Sequence, residues 1–192
     1  MSGIRYIAEH FQPKEFWYNG EKLEFPHFQD LMALLEAKEI RRRAPSELKE
    51  GREIAGVRVE ILHPVEGFLS RKSNDNSLVL RVSSGGTSFL FPGDLEAAGE
   101  QALVARAGPE LKSDVLLVPH HGSKSSSSSA FLEALSPKVC IISAGKDNPF
   151  GFPSQDVLRR LRGAGCSIIR MDEAGATEVS VGEEALQIRS FQ

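Results

Sequence analysis

Apolar positions recur with two different periods along this chain, and these periods predict strands and helices in alternation. Val115–Val118 is continuously apolar, which is typical of a short strand buried on both faces. Helical spacing of apolar residues predicts helices at Gly3–Phe11, Phe25–Ile40, Glu96–Ala107, Ala130–Leu135 and Ser154–Leu161. Strands are predicted at Glu15–Tyr18, Glu53–Leu62, Ser77–Ser83, Thr87–Phe91, Asp114–Val118, Lys138–Ser143, Ser167–Met171, Ala176–Val181 and Ala185–Ile188.

Length and composition fit one globular domain. The chain has 192 residues, of which 41% are hydrophobic, so one sizeable core can form. We therefore expect a single α/β domain over residues 1–192, which some schemes would class as α+β. No segment approaches the ~20 apolar residues that cross a bilayer, so we expect a soluble domain. The net charge of -3 argues against strong nonspecific attraction to nucleic acid but leaves room for a local positive site.

Three features receive structural rather than functional interpretations. Cys140 and Cys166 lie in apolar runs, where free thiols act as small core residues, so we expect no disulfide between them. The basic run Arg41–Arg43 is interpreted as the solvated end of the preceding helix rather than as a phosphate contact. His63 ends a predicted strand and is interpreted as a cap rather than a metal ligand.

Side chains with metal-ligand chemistry follow two of the predicted strands. Asp94 follows the segment FLFPG, and His120 and His121 follow LLVP. Open α/β sheets bind ligands beyond the carboxyl ends of their strands, so we expect these side chains at one rim of the sheet. Carboxylates and neutral imidazoles suit Zn²⁺ or Mn²⁺. So small a set is not decisive, and from the residues alone a simple turn at Asp94 and a helix cap at the histidines stay open.

Six segments together resemble the carboxyl-terminal metallo-β-lactamase-fold domain of ComEC-type competence proteins, the DNA-uptake channel family. They are NDNSLVLRV, FLFPGDL, LKSDVLLVPHHGSKSSSSSAFL, SPKVCIISAGKDNPFGFP, VLRRLRGAG and IIRMDEAG, within Leu62–Val181. The combination of GD, PHHGSK and a following N-x-x-G-x-P is the most specific part. The resemblance implies an αββα sandwich, here truncated at its amino-terminal end, and a nuclease site with two Zn²⁺ or Mn²⁺ ions that hydrolyses DNA phosphodiester bonds.

The resemblance also implies roles for individual residues. Asp94 would bridge the two ions, and His121 would bind one of them. His120 would contact phosphate or assist proton transfer, while Lys124 would hold phosphate oxygens during catalysis. The substrate-binding residues implied are Asn76, Ser77, Ser123 and Ser125. A flexible entry into the next helix is an equally open interpretation of the serine run Ser125–Ser129.

The chain departs from the family pattern at two points. The family's main metal motif, H-x-H-x-D-H, does not occur in the 192 residues, and Phe152 stands where family members commonly have histidine before proline. A fragment, a shortened gene start and a degraded homologue would each explain the missing motif, and we favour truncation. We therefore expect weak metal binding and little or no activity of this chain alone. We also expect self-association or marginal stability, because missing strands would leave an exposed sheet edge.

Other functions on the same fold stay open. A noncatalytic DNA-binding or regulatory domain would need aromatic platforms for bases, and we expect most of the 11 phenylalanines to lie in strand or helix cores. A small-molecule phosphoesterase would cleave a chromogenic diester but not DNA, and the fold alone cannot separate these activities. As partners, the resemblance implies DNA and the membrane channel domain of a parent protein in the bacterial inner membrane.

Overall fold

The computed structural model describes residues 2–182 and 186–191, which form two compact units divided between Lys49 and Glu50. The helices described are α1 (Ser2–His10), α2 (Pro26–Ala37), α3 (Ala97–Ala107), α4 (Ser129–Leu135), α5 (Gln155–Gly163) and the single turn α6 (Met171–Ala174). The strands are β1 (Glu15–Trp17), β2 (Arg41–Arg43), β3 (Arg52–Ile54), β4 (Val57–His63), β5 (Val79–Ser84), β6 (Thr87–Phe91), β7 (Val115–Leu117), β8 (Val139–Ile142), β9 (Ser167–Arg170), β10 (Ala176–Val181) and β11 (Leu186–Phe191). This alternation confirms the α/β class predicted from the sequence.

The amino-terminal unit packs α1 and α2 around a small apolar cluster. Pro26 opens α2 at a position where its missing N–H is no loss to the helix. Leu31 and Leu35 lie one turn apart on α2 and are buried with Ala8 of α1. This unit therefore has an apolar core of its own, formed by the predicted helical face.

The interpretation of Arg41–Arg43 as a solvated helix end is wrong. Helix α2 ends at Ala37, and the three arginines form β2, which pairs in parallel with β1. Arg43 Nη2 also lies 3.0 Å from Glu15 Oε1. The partner strand lies far upstream in the chain, so the local charge pattern gave no sign of the pairing.

The carboxyl-terminal unit contains a seven-stranded mixed sheet in the order β3-β4-β5-β6-β7-β8-β9. Strands β3 to β6 pair antiparallel, and β6 to β9 pair in parallel. The single strand predicted over Glu53–Leu62 is wrong, because the chain turns at Ala55 and Gly56 and folds into the hairpin β3–β4. Both turn residues have positive φ, 51° and 80°, as a two-residue hairpin turn requires.

Strands β7 and β8 bury alternate residues on opposite faces of this sheet. Leu116 and Cys140 belong to the larger core, which also contains buried side chains of α3, α4 and α5. Val115 and Val139 point to the other face, where Val179 of β10 and Leu186 of β11 pack against them. Because both faces are covered, the continuous apolar run predicted from the sequence is confirmed as a doubly buried strand.

A disulfide joins Cys140 and Cys166, so the expectation of free thiols is wrong. Cys140 lies in β8, and Cys166 lies just before β9, the neighbouring parallel strand. Their Cα atoms are 6.0 Å apart, which is the usual spacing for a disulfide. The sequence separation of 26 residues hid this proximity, because only the pairing of β8 with β9 brings the two residues together.

The last two strands form the predicted hairpin. Strand β10 has the predicted bounds, and β11 pairs with it antiparallel, with Val179 opposite Ile188. Residue Ala185, where the second strand was predicted to begin, lies outside the described residues. Within the part of the chain that the structure describes, no helix is long and apolar enough to cross a membrane.

Candidate metal and phosphate site

Two neighbouring parallel strands, β6 and β7, end at the same rim of the sheet. The chain leaves β6 through Pro92, Gly93 and Asp94, and it leaves β7 into a 3₁₀ turn over Pro119–Gly122. The backbone N–H of His120 donates to the carbonyl oxygen of Gly93 at 3.0 Å, which ties the two turns together. The rim predicted from the strand pattern is therefore present, and it carries both histidines and Asp94.

Asp94 and His121 face each other across this rim. His121 Nε2 lies 3.8 Å from Asp94 Oδ1, and both side chains are about half exposed, at 54% and 48%. The other ring nitrogen of His121, Nδ1, donates to the carbonyl oxygen of Ser143 at 2.6 Å. This hydrogen bond fixes the tautomer, so that Nε2 keeps the lone pair with which an imidazole binds a cation.

His120 points to a different set of neighbours. Its Nδ1 lies 3.3 Å from Glu96 Oε1 without hydrogen-bond geometry, so this buried nitrogen has no hydrogen-bond partner among the described residues. The ring also meets Phe152 edge to face, with centroids 5.8 Å apart. Glu96 in turn accepts from Asn74 Nδ2 at 3.4 Å and lies 3.5 Å from Lys72 Nζ. His120 thus lies against Glu96 and Phe152 rather than against Asp94.

The histidine turn has an unusual backbone. His120, His121 and Gly122 all have positive φ, at 51°, 55° and 82°. Such conformations cost on the order of 1–3 kcal/mol for each non-glycine residue, so the surrounding structure must hold them. A Cβ atom on Gly122 would lie 2.6 Å from Pro153 Cβ, and the Gly122 carbonyl accepts from the Ser154 N–H at 2.9 Å. The tight contact with Pro153 explains the glycine and joins the histidine turn to the next rim loop.

The serine run after the histidine turn is well ordered by hydrogen bonds. Ser126 Oγ donates to the Pro119 carbonyl oxygen at 3.1 Å, and the hydroxyls of Ser123 and Ser125 lie 3.0 Å apart. Ser128 caps α4 by accepting from the Phe131 N–H at 3.4 Å. This part of the run is the entry into α4, but its hydrogen bonds do not support the flexible entry that one interpretation of the sequence proposed. Lys124 is exposed on the same loop.

Two charged side chains from distant helices hold this loop. Glu100 of α3 is fully buried, and its carboxylate accepts hydrogen bonds from the backbone N–H groups of Ser127 and Ser128. Arg160 of α5 donates to the carbonyl oxygens of Ser127 at 2.7 Å and Ser126 at 2.8 Å. Burial raises the pKa of the Glu100 carboxyl, and the hydrogen bonds from Ser127 and Ser128 oppose that rise. Glu100 and Arg160 thus fix the loop backbone that presents Lys124.

Asn76 and Ser77 lie beside the rim. Asn76 is 1% exposed. Its amide oxygen accepts from the Ser70 N–H at 2.8 Å, and its amide nitrogen donates to the Ser70 carbonyl oxygen at 2.9 Å. Ser77 donates to the Asn74 carbonyl oxygen at 2.8 Å, and it lies next to Gly93. Both residues therefore stabilise the loop that precedes β5, and their contact with a substrate stays a prediction.

The residues present supply part of a metal site. Asp94 and His121 have the donor types that Zn²⁺ or Mn²⁺ binds. Among residues 2–182 and 186–191, however, no group of three or more His, Cys, Asp or Glu side chains could hold an ion. Catalytic zinc sites usually have three protein ligands. The described residues supply two such donors and therefore do not form a complete site.

Sequence reasoning missed several residues that shape this rim. Glu96 lies only two positions after Asp94, which was a usable signal for its contact with His120. Glu100 and Arg160 gave no local signal, since one lies in the middle of α3 and the other in α5. Their role depends on how the two helices pack around the serine run.

Comparisons with known proteins agree with the fold. A model of the metallo-beta-lactamase superfamily matches residues 1–146. Competence protein ComA of Neisseria gonorrhoeae is 42% identical over 140 residues, which is 71% of this chain and 20% of that protein. ComE operon protein 3 of Bacillus subtilis (strain 168) is 40% identical over 137 residues, 70% of this chain and 17% of that protein. Recombination protein 2 of Haemophilus influenzae is 37% identical over 134 residues, 70% of this chain and 16% of that protein.

The matched relatives are much longer proteins, of which this chain spans a fifth or less, 20% of the gonococcal protein and 17% of the Bacillus protein. The superfamily match covers most of the chain, and it includes the rim with Asp94 and His121. The mixed sheet with helices agrees with the same fold. The chain therefore belongs to the metallo-beta-lactamase superfamily and matches the domain found in ComEC-type competence proteins.

Proposed function

We propose that this chain is part of a metal-dependent hydrolase that acts on DNA phosphodiester bonds. The observation that carries the proposal is the 3.8 Å approach of His121 Nε2 to Asp94 Oδ1 at the rim, with Nδ1 of the same ring fixed by Ser143. Lys124 stands exposed on the adjoining loop, where an ammonium group can contact a phosphate. The relatives named for competence and recombination favour DNA as the substrate.

Within this proposal each residue of the rim has a defined task. Asp94 and His121 would hold a Zn²⁺ or Mn²⁺ ion, which when bound would neutralise charge on a phosphodiester. Lys124, together with the hydroxyls of Ser123 and Ser125, would bind phosphate oxygens. His120, whose ring lies against Glu96 and Phe152, would hydrogen-bond the phosphate or move a proton.

We also propose that this chain alone is inactive or nearly so. Two donors bind a divalent ion weakly, and the sequence contains no H-x-H-x-D-H motif. The test is a gain of function: a chimera with an H-x-H-x-D-H segment of a family member ahead of Gly3 should cleave labelled DNA in the presence of Mn²⁺. Asp94→Ala in that chimera should abolish cleavage. A folded chimera that binds Mn²⁺ but cleaves no DNA would contradict the proposed reaction.

A noncatalytic DNA-binding domain is the second candidate. The exposed Phe150 at the rim, 74% accessible, favours it, because exposed aromatic rings are what bases stack on. The chimera separates the two functions, since a pure binding domain would bind DNA without cleaving it. A small-molecule phosphoesterase would instead cleave bis(p-nitrophenyl) phosphate and leave DNA intact.

The relatives named for competence support a proposal about the larger protein. We propose that residues 1–192 serve as one metallo-β-lactamase-like domain beside a membrane channel domain of a DNA-uptake protein in the bacterial inner membrane. Strand β3 is an exposed edge of the described sheet, paired only with β4 there. Such an edge favours pairing with a second copy, so light scattering should detect dimers or larger species. A monodisperse monomer would contradict self-association.

A further inference from the structure

One exposed and one half-buried phenylalanine ring lie beside the histidine turn. Phe150 is 74% exposed, and its ring stacks on that of Phe152, with centroids 5.6 Å apart and planes 20° apart. Phe152 in turn meets the ring of His120 edge to face. The expectation that most phenylalanines lie in cores is wrong, because only Phe131 of the 11 is buried. The outer face of Phe150 is therefore a flat apolar surface at the edge of a polar site.

The loop that carries these rings is held in one shape. Asn148 Oδ1 accepts from the N–H groups of Phe150 at 3.2 Å and Phe152 at 3.0 Å. Its Nδ2 donates to the carbonyl oxygens of Gly145 at 2.9 Å and Phe152 at 2.7 Å. One asparagine thus fixes the backbone of the aromatic segment, and the exposed ring of Phe150 is supported by its stacking on the half-buried ring of Phe152. An ordered ring loses little entropy when a second flat group stacks on it.

The aromatic loop and the phosphate loop are directly connected. The Ser154 N–H donates to the Gly122 carbonyl oxygen at 2.9 Å, and Arg160 Nη2 donates to the Lys124 carbonyl oxygen at 3.2 Å. Phe152 contacts the His120 ring on one side and the Phe150 ring on the other, so a ligand with an anionic group near His120 would have its next chemical group near Phe150. In a nucleic acid strand the group next to a phosphate is a sugar with a base.

We infer that Phe150 and Phe152 form a stacking platform for an unpaired nucleobase, so that the site takes single-stranded DNA. The inference rests on the proposed function for the nature of the substrate and adds which form of DNA is bound. In a duplex the base faces are already covered by their neighbours, so only a single strand offers a face to Phe150. Base–aromatic stacking is tolerant of sequence, so the platform selects single strands without selecting a base.

The test compares three DNAs of the same length that differ in whether their bases are present and whether they are paired. Fluorescence anisotropy would measure binding of the full chain to labelled dT12, to an abasic 12-mer of the same phosphate number and to a 12-base-pair duplex. The chain should bind dT12 more tightly than the other two. Phe150→Ala should weaken dT12 binding about 5- to 100-fold and leave the abasic 12-mer unchanged. Phe150→Tyr, which keeps the ring, should stay within about 2-fold of the natural chain.

The outcomes separate this inference from the proposed function. Equal affinity for dT12 and the abasic 12-mer, or dT12 binding unchanged by Phe150→Ala, would overturn the platform while DNA binding stands. Preference for the duplex would also overturn it. A chain that binds none of the three DNAs at low salt would overturn both proposals. If thymidine monophosphate displaces labelled dT12 as well as unlabelled dT12 does at equal concentration, the site binds a mononucleotide. That result would overturn the assignment to a DNA strand.

Discussion

Glu100 Oε2 accepts a hydrogen bond of 2.8 Å from the backbone N–H of Ser128, and the second carboxylate oxygen accepts from Ser127. A fully buried side chain of α3 thereby fixes the loop that follows the histidine turn. The loop contains Lys124, to which we assign phosphate binding. The stability of this buried contact and the function of the rim are therefore linked.

Replacing Glu100 by Gln should destabilise the chain by about 1–3 kcal/mol, because the amide accepts only one of the two hydrogen bonds and leaves a buried N–H unpaired. Burial raises the pKa of the Glu100 carboxyl, so the folded natural chain holds this proton more tightly than the unfolded chain. The stability that this bound proton contributes is present at low pH and is lost as pH rises through the pKa of Glu100 in the folded chain. The difference in the free energy of unfolding between the natural chain and Glu100→Gln should therefore narrow as pH rises.

Urea denaturation at several pH values would measure this effect. The matched control is Glu133→Gln on the exposed face of α4, which should change the free energy of unfolding by less than about 0.5 kcal/mol. A Glu100→Gln chain as stable as the natural chain at every pH would show that the carboxylate does not hold the loop.

Lys124→Ala should weaken DNA binding and flatten its dependence on salt. Losing one phosphate contact to a single strand reduces the slope of log K against log salt concentration by about 0.7. Lys112→Ala is the control, because Lys112 is also exposed but precedes β7, at the opposite end of the strand from the rim. If Lys124→Ala binds DNA at low salt with the same affinity as the natural chain, Lys124 is not part of the phosphate site.

His63 should make the chain less stable as pH falls below neutrality. Burial lowers the pKa of this imidazole, and its Nε2–H donates to the Asp75 carbonyl oxygen at 2.8 Å while Nδ1 is buried without a hydrogen-bond partner among the described residues. The folded chain thus keeps His63 neutral, and the unfolded chain takes up a proton below the ordinary pKa of about 6.5. The contribution of neutral His63 to stability is fully present above that pH. Below it, the free energy of unfolding falls by up to about 1.4 kcal/mol per pH unit.

His63→Gln keeps a neutral N–H donor and should remove this dependence on pH. Thermal unfolding between pH 5 and 7 would compare how steeply stability depends on pH in this variant and in the natural chain. His27→Gln, at an exposed position of α2, is the control and should leave the slope unchanged. A His63→Gln chain with the full natural slope would assign the acid sensitivity to other groups.

Reduction of the Cys140–Cys166 disulfide should destabilise the chain by about 3 kcal/mol, because the cross-link of 26 residues restricts the unfolded state. Urea denaturation with and without dithiothreitol would measure the loss. The double variant Cys140→Ala, Cys166→Ala should show no response to the reductant. Two thiols that react with Ellman's reagent in the denatured, unreduced chain would contradict the disulfide.

Local patterns were sufficient to predict the rim of the sheet. The apolar run of β7 is followed by His120 and His121, and that of β6 is followed by Asp94, so the sequence by itself assigns three side chains to one edge. Parallel pairing of β6 and β7 then brings them together.

Contacts between distant segments were not predictable in this way. Arg41–Arg43 lacks strand character by itself and becomes β2 by pairing with β1. The alternation over Glu53–Leu62 concealed a turn because Ala55 and Gly56 keep the pattern in phase. Phe150 looks like any core residue in sequence, but it lies exposed on a loop whose backbone Asn148 holds. The disulfide likewise depends on the order of β8 and β9.

We propose that Asp94 and His121 together form part of a metal site. Isothermal titration calorimetry with Mn²⁺ and with Zn²⁺ tests it directly, using the natural chain, Asp94→Ala, His121→Ala and the exposed control Asp30→Ala. We predict one weak site, with a dissociation constant on the order of 10⁻⁴ M, that is lost in both rim variants and kept in the control. Submicromolar binding, or binding unchanged by both rim substitutions, would contradict the claim.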